Sequence, residues 1–205
     1  MKAFNILHCG VGGQGVVMMA NIIGLACGRS GLKVNSGELH GLSQRSGSVI
    51  AHQRIGEDVY SPLIPYGEAD VILALEPMEA LRYAYFLKDG GSVITNTNVI
   101  HPPIETQRLA LKQIPAYIDY PAIIGALESA GIKVLGIDAL AMARDAGNAQ
   151  AENVVLVGAL SSMKGFPVTK EEMVRSVKSS VPEKALEANL KAFELGYTSR
   201  AQQKI

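Results

Sequence analysis

Phe4-Asn-Ile-Leu-His-Cys9, followed without a break by Gly10-Val-Gly-Gly-Gln-Gly15, decides the fold class. The first six residues form a short apolar run that reads as a buried strand. The glycines after it make a turn that feeds a helical run from about Gln14 to Arg29. A strand, a glycine turn and a helix in that order open an α/β unit. Within the helical run Ala20, Gly24, Cys27 and Gly28 fall near one face, a strip of small residues that lets another backbone approach closely.

The same alternation continues outward from this unit. Lys33 to Ser36 reads as a second strand entering the polar loop Gly37-Glu-Leu-His-Gly-Leu-Ser-Gln-Arg-Ser-Gly47, and Ser48 to Ile55 alternates as a third strand. Val71 to Leu75 has the unbroken apolar character of a central parallel strand. Pro77 then suits the first turn of a helix over Met78 to Leu87, Asp89-Gly-Gly91 is expected to stop it, and Ser92 to Thr95 supplies another strand. Beyond a loop with Pro102-Pro103 the pattern gives a helix from Ala122 to Ala130, a strand from Lys133 to Ile137 and a helix from Ala139 to Ala146.

In the tail, Ala151 to Lys164 reads as a helix, and Thr169 with Glu172 has capping-box spacing. Pro182 sits at a helix start, and Leu186, Leu190 and Phe193 recur at helical spacing with Gly196 as the expected stop. These elements predict one α/β domain over residues 1–205. Its mostly parallel, Rossmann-like sheet is flanked by helices, and residues from about 150 to 205 form a helical C-terminal part.

Nineteen basic and nineteen acidic residues cancel, and no segment concentrates Lys or Arg, so the electrostatic footprint of a nucleic-acid binder is absent. The apolar stretch Val16 to Gly28 is interrupted by Asn21 and Gly24 and is too short to span a bilayer. Met1-Lys2 leads directly into a strand rather than a signal-peptide core, which predicts a cytoplasmic protein without a membrane anchor. Cys9 and Cys27 are the only cysteines and form no Cys-x-x-Cys pair. Neither an iron–sulfur cluster nor a zinc site can be assembled from them alone, and no cofactor is expected on this chain by itself.

Two loops could carry chemistry. Gly10, Gly12 and Gly15 satisfy G-x-G-x-x-G between a strand and a helix, where backbone N–H groups can hold a phosphate. Glu38 lies 23 residues after Gly15, roughly where a dinucleotide fold places its ribose-binding acid. One reading is therefore an independent NAD(P)-binding oxidoreductase. Gly13 and Gln14 enlarge the loop, however, and could equally present N–H groups and an amide to a neighbouring subunit or its cofactor. The second loop, Ser43-Gln44-Arg45-Ser46-Gly47, combines hydroxyls, an amide and a guanidinium able to bind carboxylate or phosphate with two parallel hydrogen bonds. Among the histidines, His40 lies closest to that loop. His8 and Cys9 are adjacent on a strand, point to opposite faces and cannot share a metal. Ser161 and Lys164 match Ser-x-x-Lys without the companion motifs of serine acyl enzymes and read as a helix end.

With both loops in view, the chain resembles the gamma-type domain of the 2-oxoacid:ferredoxin oxidoreductase family over nearly its whole length, and the indolepyruvate branch in particular. The resemblance rests on three segments. They are Ile6-Leu-His-Cys-Gly-Val-Gly-Gly-Gln-Gly15, Glu38-Leu-His-Gly-Leu-Ser-Gln-Arg-Ser-Gly-Ser-Val49 with His52 and Arg54, and the tail carrying Pro182, Asn189, Phe193 and Gly196. One departure is Ser46-Gly47, where the family often has Gly-Gly after the arginine.

The resemblance implies oxidative decarboxylation of an aryl 2-oxoacid. Thiamine diphosphate and iron–sulfur clusters would lie in a large partner subunit, coenzyme A would be the co-substrate, and ferredoxin would accept electrons through the complex. It also implies that Gly10, Gly12, Gly13, Gln14 and Gly15, together with Ser43 to Gly47, face the partner's active site or the coenzyme A path. Arg45 would be the anion contact. A subunit that only stabilises its partner is the remaining alternative. An isolated chain can self-associate through apolar surface that the partner would cover.

Overall fold

In the computed structural model, which describes residues 3–40, 47–101 and 103–202, the chain alternates strands and helices from Phe4 onward. The strands are β1 (Phe4–Val11), β2 (Val34–His40), β3 (Ser48–Ile55), β4 (Ala69–Ala74), β5 (Leu87–Asn96) and β6 (Lys133–Ile137). The helices are α1 (Val16–Arg29), α2 (Pro77–Arg82), α3 (Pro103–Ala110), α4 (Tyr120–Ser129), α5 (Ala139–Asp145), α6 (Glu152–Ser161), α7 (Lys170–Ser180) and α8 (Leu186–Gln202).

The strands form one six-stranded sheet in the order β2-β3-β1-β4-β5-β6. β1, β4, β5 and β6 run parallel, whereas β3 is antiparallel to both β1 and β2. This is the mostly parallel, helix-flanked sheet that the sequence predicts. After β1 the chain moves to the β3–β2 side and then returns to β4 on the other side. The crevice between the carboxyl ends of β1 and β4 is thus the topological switch point, where open α/β sheets hold ligands.

Residues alternate across the strands to build a core on each face. Ile6, Ala51, Ile55, Val71, Leu73 and Ile94 pack with the buried sides of α1, α5, α6, α7 and α8. Leu7, Cys9, Ile50, Ile72 and Val93 pack on the opposite face with Ala80 of α2 and with Phe86. α6 is apolar all round because it is covered all round: every residue from Asn153 to Leu160 is buried. Where α6 crosses α8, a Cβ at Gly158 would collide with the Phe193 carbonyl, and one at Gly196 with the Val155 carbonyl.

Several boundaries differ from expectation for physical reasons. The polar segment Gly37–His40 continues β2, because Gly37 to His40 pair with His52 to Val49 of β3. Asp89-Gly-Gly91 does not end a helix. α2 ends at Arg82, and the two glycines lie inside β5 near a register shift against Ala69/Val71. Gly196 does not stop the last helix, which runs on to Gln202, and its role there is the close crossing with α6. Thr169 caps α7 as its spacing predicts, its hydroxyl accepting from the Glu172 N–H at 3.3 Å. Among the described residues no helix is long and apolar enough to cross a membrane.

Candidate functional site

β1 delivers the glycine loop to the switch point. Gly13 (φ 93°) and Gly15 (φ 86°) adopt left-handed conformations that other residues reach only at a cost, and Gly15 opens α1. The Gln14 side chain turns into the crevice. Its Oε1 accepts from the Val11 N–H at 2.8 Å, and its Nε2 donates to the Leu75 carbonyl at 3.1 Å, so one amide ties the end of β1 to the end of β4. Gly10 makes room for it, since a Cβ there would lie 2.8 Å from Gln14 Oε1 and 3.1 Å from Leu75 Cβ. On the other side of the loop, a Cβ at Gly15 would meet Asn153 Nδ2 of α6 at 2.7 Å. The loop is clamped from both sides and leaves Gly12 and Gly13 exposed.

Ser43, Gln44, Arg45 and Ser46 lie outside the described residues; Gly47 does not. Its carbonyl accepts from the Gly12 N–H at 2.9 Å, which joins the two loops at the carboxyl edge of the sheet. The same geometry argues against a dinucleotide site. Gln14 fills the crevice, and the Gly12 N–H is engaged by Gly47. Glu38 sits on β2, which β3 separates from β1, so it lies two strand spacings away, about 10 Å, instead of on the neighbouring strand.

Beside these loops lies a polar cluster that motif reading missed. Glu76 and Glu79 are 1% and 5% exposed. Glu76 Oε2 accepts from the Glu79 N–H at 2.9 Å, capping α2, while its Oε1 accepts from the Ile100 N–H at 3.3 Å. Burial pushes the Glu76 carboxyl above its ordinary range, opposed by those backbone hydrogen bonds. Glu79 accepts from Ser48 Oγ at 2.5 Å and from Arg82 Nε at 3.1 Å, and the Ser48 and Tyr83 hydroxyls lie 2.7 Å apart. Val11, Ser48, Glu76, Glu79 and Arg82 help to line a cavity of about 100 Å³, large enough for a few waters and too small for a cofactor. The available signal was Glu76-Pro-Met-Glu79 directly after a strand: a carboxylate at N-cap, proline at the first helical position and glutamate three residues on.

The remaining candidates are inward-facing. His8 is fully buried with Nε2 3.1 Å from Gln53 Oε1, and burial pushes its pKa down to about 4, which keeps the ring neutral. His52 Nδ1 accepts from the Ile64 N–H at 3.1 Å. Cys9 and Cys27 are buried in the cores on opposite faces of the sheet, so they cannot meet at one cluster. Burial raises both thiols, Cys27 to about 12. Among the described residues no group of three or more His, Cys, Asp or Glu side chains could hold a metal ion.

Residues 5–199 match the family described as pyruvate ferredoxin/flavodoxin oxidoreductase. The chain belongs to this family. Within the pyruvate ferredoxin/flavodoxin oxidoreductases it is 48% identical over 196 residues to the indolepyruvate oxidoreductase subunit IorB of Thermococcus kodakarensis, covering 96% of this chain and 95% of that one. Among solved structures it is similar to the gamma subunit of the keto/oxoacid ferredoxin oxidoreductase of Geobacter sulfurreducens, with a TM-score of 0.71, 23% identity and coverage of 98% and 99%. The 2-oxoglutarate:ferredoxin oxidoreductase of Magnetococcus marinus, solved with 2-oxoglutarate, coenzyme A and succinyl-CoA bound, contains the same fold. It superposes with a TM-score of 0.74 at 21% identity, covering all of this chain and 32% of that one.

Proposed function

We propose that the chain is the small subunit of an indolepyruvate-type 2-oxoacid:ferredoxin oxidoreductase, which converts an aryl 2-oxoacid to its acyl-CoA with release of carbon dioxide. The observation that carries this reading is the 48% identity, over nearly the full length of both chains, to an indolepyruvate oxidoreductase subunit. The thiamine diphosphate, the iron–sulfur clusters and the delivery of electrons to ferredoxin are assigned to a larger partner. This chain's thiols do not fit a cluster, because the sheet stands between Cys9 and Cys27. No step on those groups is assigned to its residues.

What this chain contributes, in this reading, is the carboxyl edge of its sheet. The exposed Gly12–Gly13 turn and the Ser43–Gly47 segment, joined through Gly12 and Gly47, face the partner's active site or the coenzyme A path. Arg45 supplies a charge suited to carboxylate or phosphate. The clamping of the loop by Gln14 and by α6 favours such a role, since a rigid edge positions a ligand without further ordering.

The test is reconstitution. The chain and the large subunit are purified separately and assayed, alone and mixed, for indolepyruvate-dependent dye reduction with coenzyme A and thiamine diphosphate. Activity is expected only in the mixture and is expected to fall in an Arg45→Ala mixture that still assembles. Reduction of NAD or NADP by this chain alone would overturn the assignment. Normal turnover and coenzyme A dependence in the Arg45→Ala complex would leave the subunit assignment standing and remove Arg45 from the site.

A further inference from the structure

Residues 56–68, between β3 and β4, contain no helix or strand, yet polar groups fix them along their length. Asn35 Nδ2 on β2 donates to the Val59 carbonyl at 2.6 Å, and Arg54 Nη1 on β3 reaches the Ser61 and Leu63 carbonyls, both at 3.4 Å. His52 Nδ1 accepts the Ile64 N–H, and the Arg54 Nε donates to Asn5 Oδ1 at 3.0 Å. Asn5 in turn donates to the Glu68 carbonyl at 2.8 Å. Gly37 leaves space for Pro62, whose Cγ would be 3.0 Å from a Cβ there. His52 and Arg54, two residues that carry the family resemblance, are thereby accounted for: both hold this loop.

The shape they hold presents apolar side chains to the outside. Tyr60 is 88% exposed, Tyr66 74%, Leu63 53%, and Leu39 and Tyr85 beside them 51% and 54%. Leu39, Leu63, Ile64, Tyr66 and Phe86 line a groove of about 490 Å³ whose polar member, His52, is lowered in pKa by burial. Among the described residues no Asp, Glu, Lys or Arg lines it. Tyr66, Tyr85 and Phe86 pack on one another with ring centroids 4.8 to 5.1 Å apart, giving the groove an ordered aromatic wall. An isolated domain gains nothing from polar anchors that keep a leucine and two tyrosines in water. Clustered exposed apolar groups mark contact surfaces, and tyrosine on a preordered loop binds with little loss of side-chain freedom.

We propose that this face is the docking surface for the larger subunit, with an uncharged apolar side chain of that subunit filling the groove. The proposal rests on the function proposed above and identifies where the two chains meet. Two observations favour the larger subunit over a second copy of this chain. Leu39, at one end of the groove, lies one residue before the carboxyl end of β2, the same edge of the sheet as Gly12 and Gly47, which is assigned above to the partner's active site. In the Magnetococcus marinus enzyme this fold makes up 32% of a longer chain, so there it is covalently joined to a larger body.

The experiment measures association of the purified large subunit with wild-type chain, Leu63→Asp, Tyr66→Lys and, as a remote control, Leu111→Asp. Leu111 is also exposed, at 59%, and lies outside the groove. Circular dichroism of each variant establishes that the fold is intact, and Leu63→Ala and Tyr66→Ala replace any charged variant that misfolds. Leu63→Asp and Tyr66→Lys are expected to weaken association by roughly tenfold or more while Leu111→Asp leaves it unchanged. Wild-type-like association of folded groove variants would overturn the docking surface alone. Loss of self-association by the isolated chain, with affinity for the large subunit unaltered, would overturn it in favour of a second copy. Failure of the wild-type chain to bind the large subunit at all would overturn the functional reading and the docking surface together.

Discussion

At the switch-point loop and at the α6–α8 crossing, glycine does two different jobs. In the loop, Gly13 and Gly15 are used for their positive φ, and Gly10 for the space that the Gln14 amide occupies. At the crossing, Gly158 and Gly196 lie within helices, and what matters is the absence of a Cβ between two backbones. A loop can shift to accommodate an added atom, whereas two packed helices must separate along their length. Glycines at the crossing should therefore be the less replaceable ones, although the loop has the recognisable motif.

Substitution tests that ordering directly. Gly196→Leu is expected to have the largest effect, a loss of more than about 4 kcal/mol, because its side chain would have to enter the α6 backbone at Val155. Urea denaturation checks it, and a wild-type midpoint would mean that α8 has room the structure does not show. Gln14→Leu comes next. It leaves the buried Val11 N–H and Leu75 carbonyl without their side-chain partner, for a loss of about 2 kcal/mol, and equilibrium dialysis of this variant should still show no NAD binding.

The smallest effects divide the loop itself. Gly13→Ala faces open space and should cost only the left-handed backbone penalty, about 1 kcal/mol. Gly15→Ala adds the Asn153 contact and should cost about 1 kcal/mol more. Equal midpoints for the two variants would show that α6 yields to the loop.

The order of elements was legible in the sequence because apolar runs and helical spacing report local burial. The strand Lys133 to Ile137 appears with the predicted ends, and Pro77 stands at the first position of α2 as expected. What was not legible depends on the partner strand or helix. Gly37 and Glu38 look like loop residues until β3 pairs with them, and Gly196 looks like a stop until α6 lies across it. Sequence also gives no direction to β3, whose antiparallel insertion moves Glu38 away from the glycine loop and removes the basis of the dinucleotide reading. The glycine loop and the Ser43–Gly47 loop were separate candidates in the sequence, and the Gly12–Gly47 hydrogen bond brings the first of them to the last residue of the second. Glu76 and Glu79 carried a helix-start pattern that identifies a cap but not the cavity next to it.

The position of β1 has a consequence for how the chain reaches this structure. β2 and β3 pair antiparallel across a short connection and can close early on local contacts. β1 is made first, yet its neighbours are β3 and β4, and His8 is in register with Ala51 on one side and Leu73 on the other. The edge of β1 that pairs with β3 can close once Ile55 is made, but the other waits for β4, whose last partner is Ala74. Until β4 arrives, the apolar run Ile6-Leu-His-Cys9 presents an unpaired edge, and this interval is when the nascent chain is most exposed to aggregation.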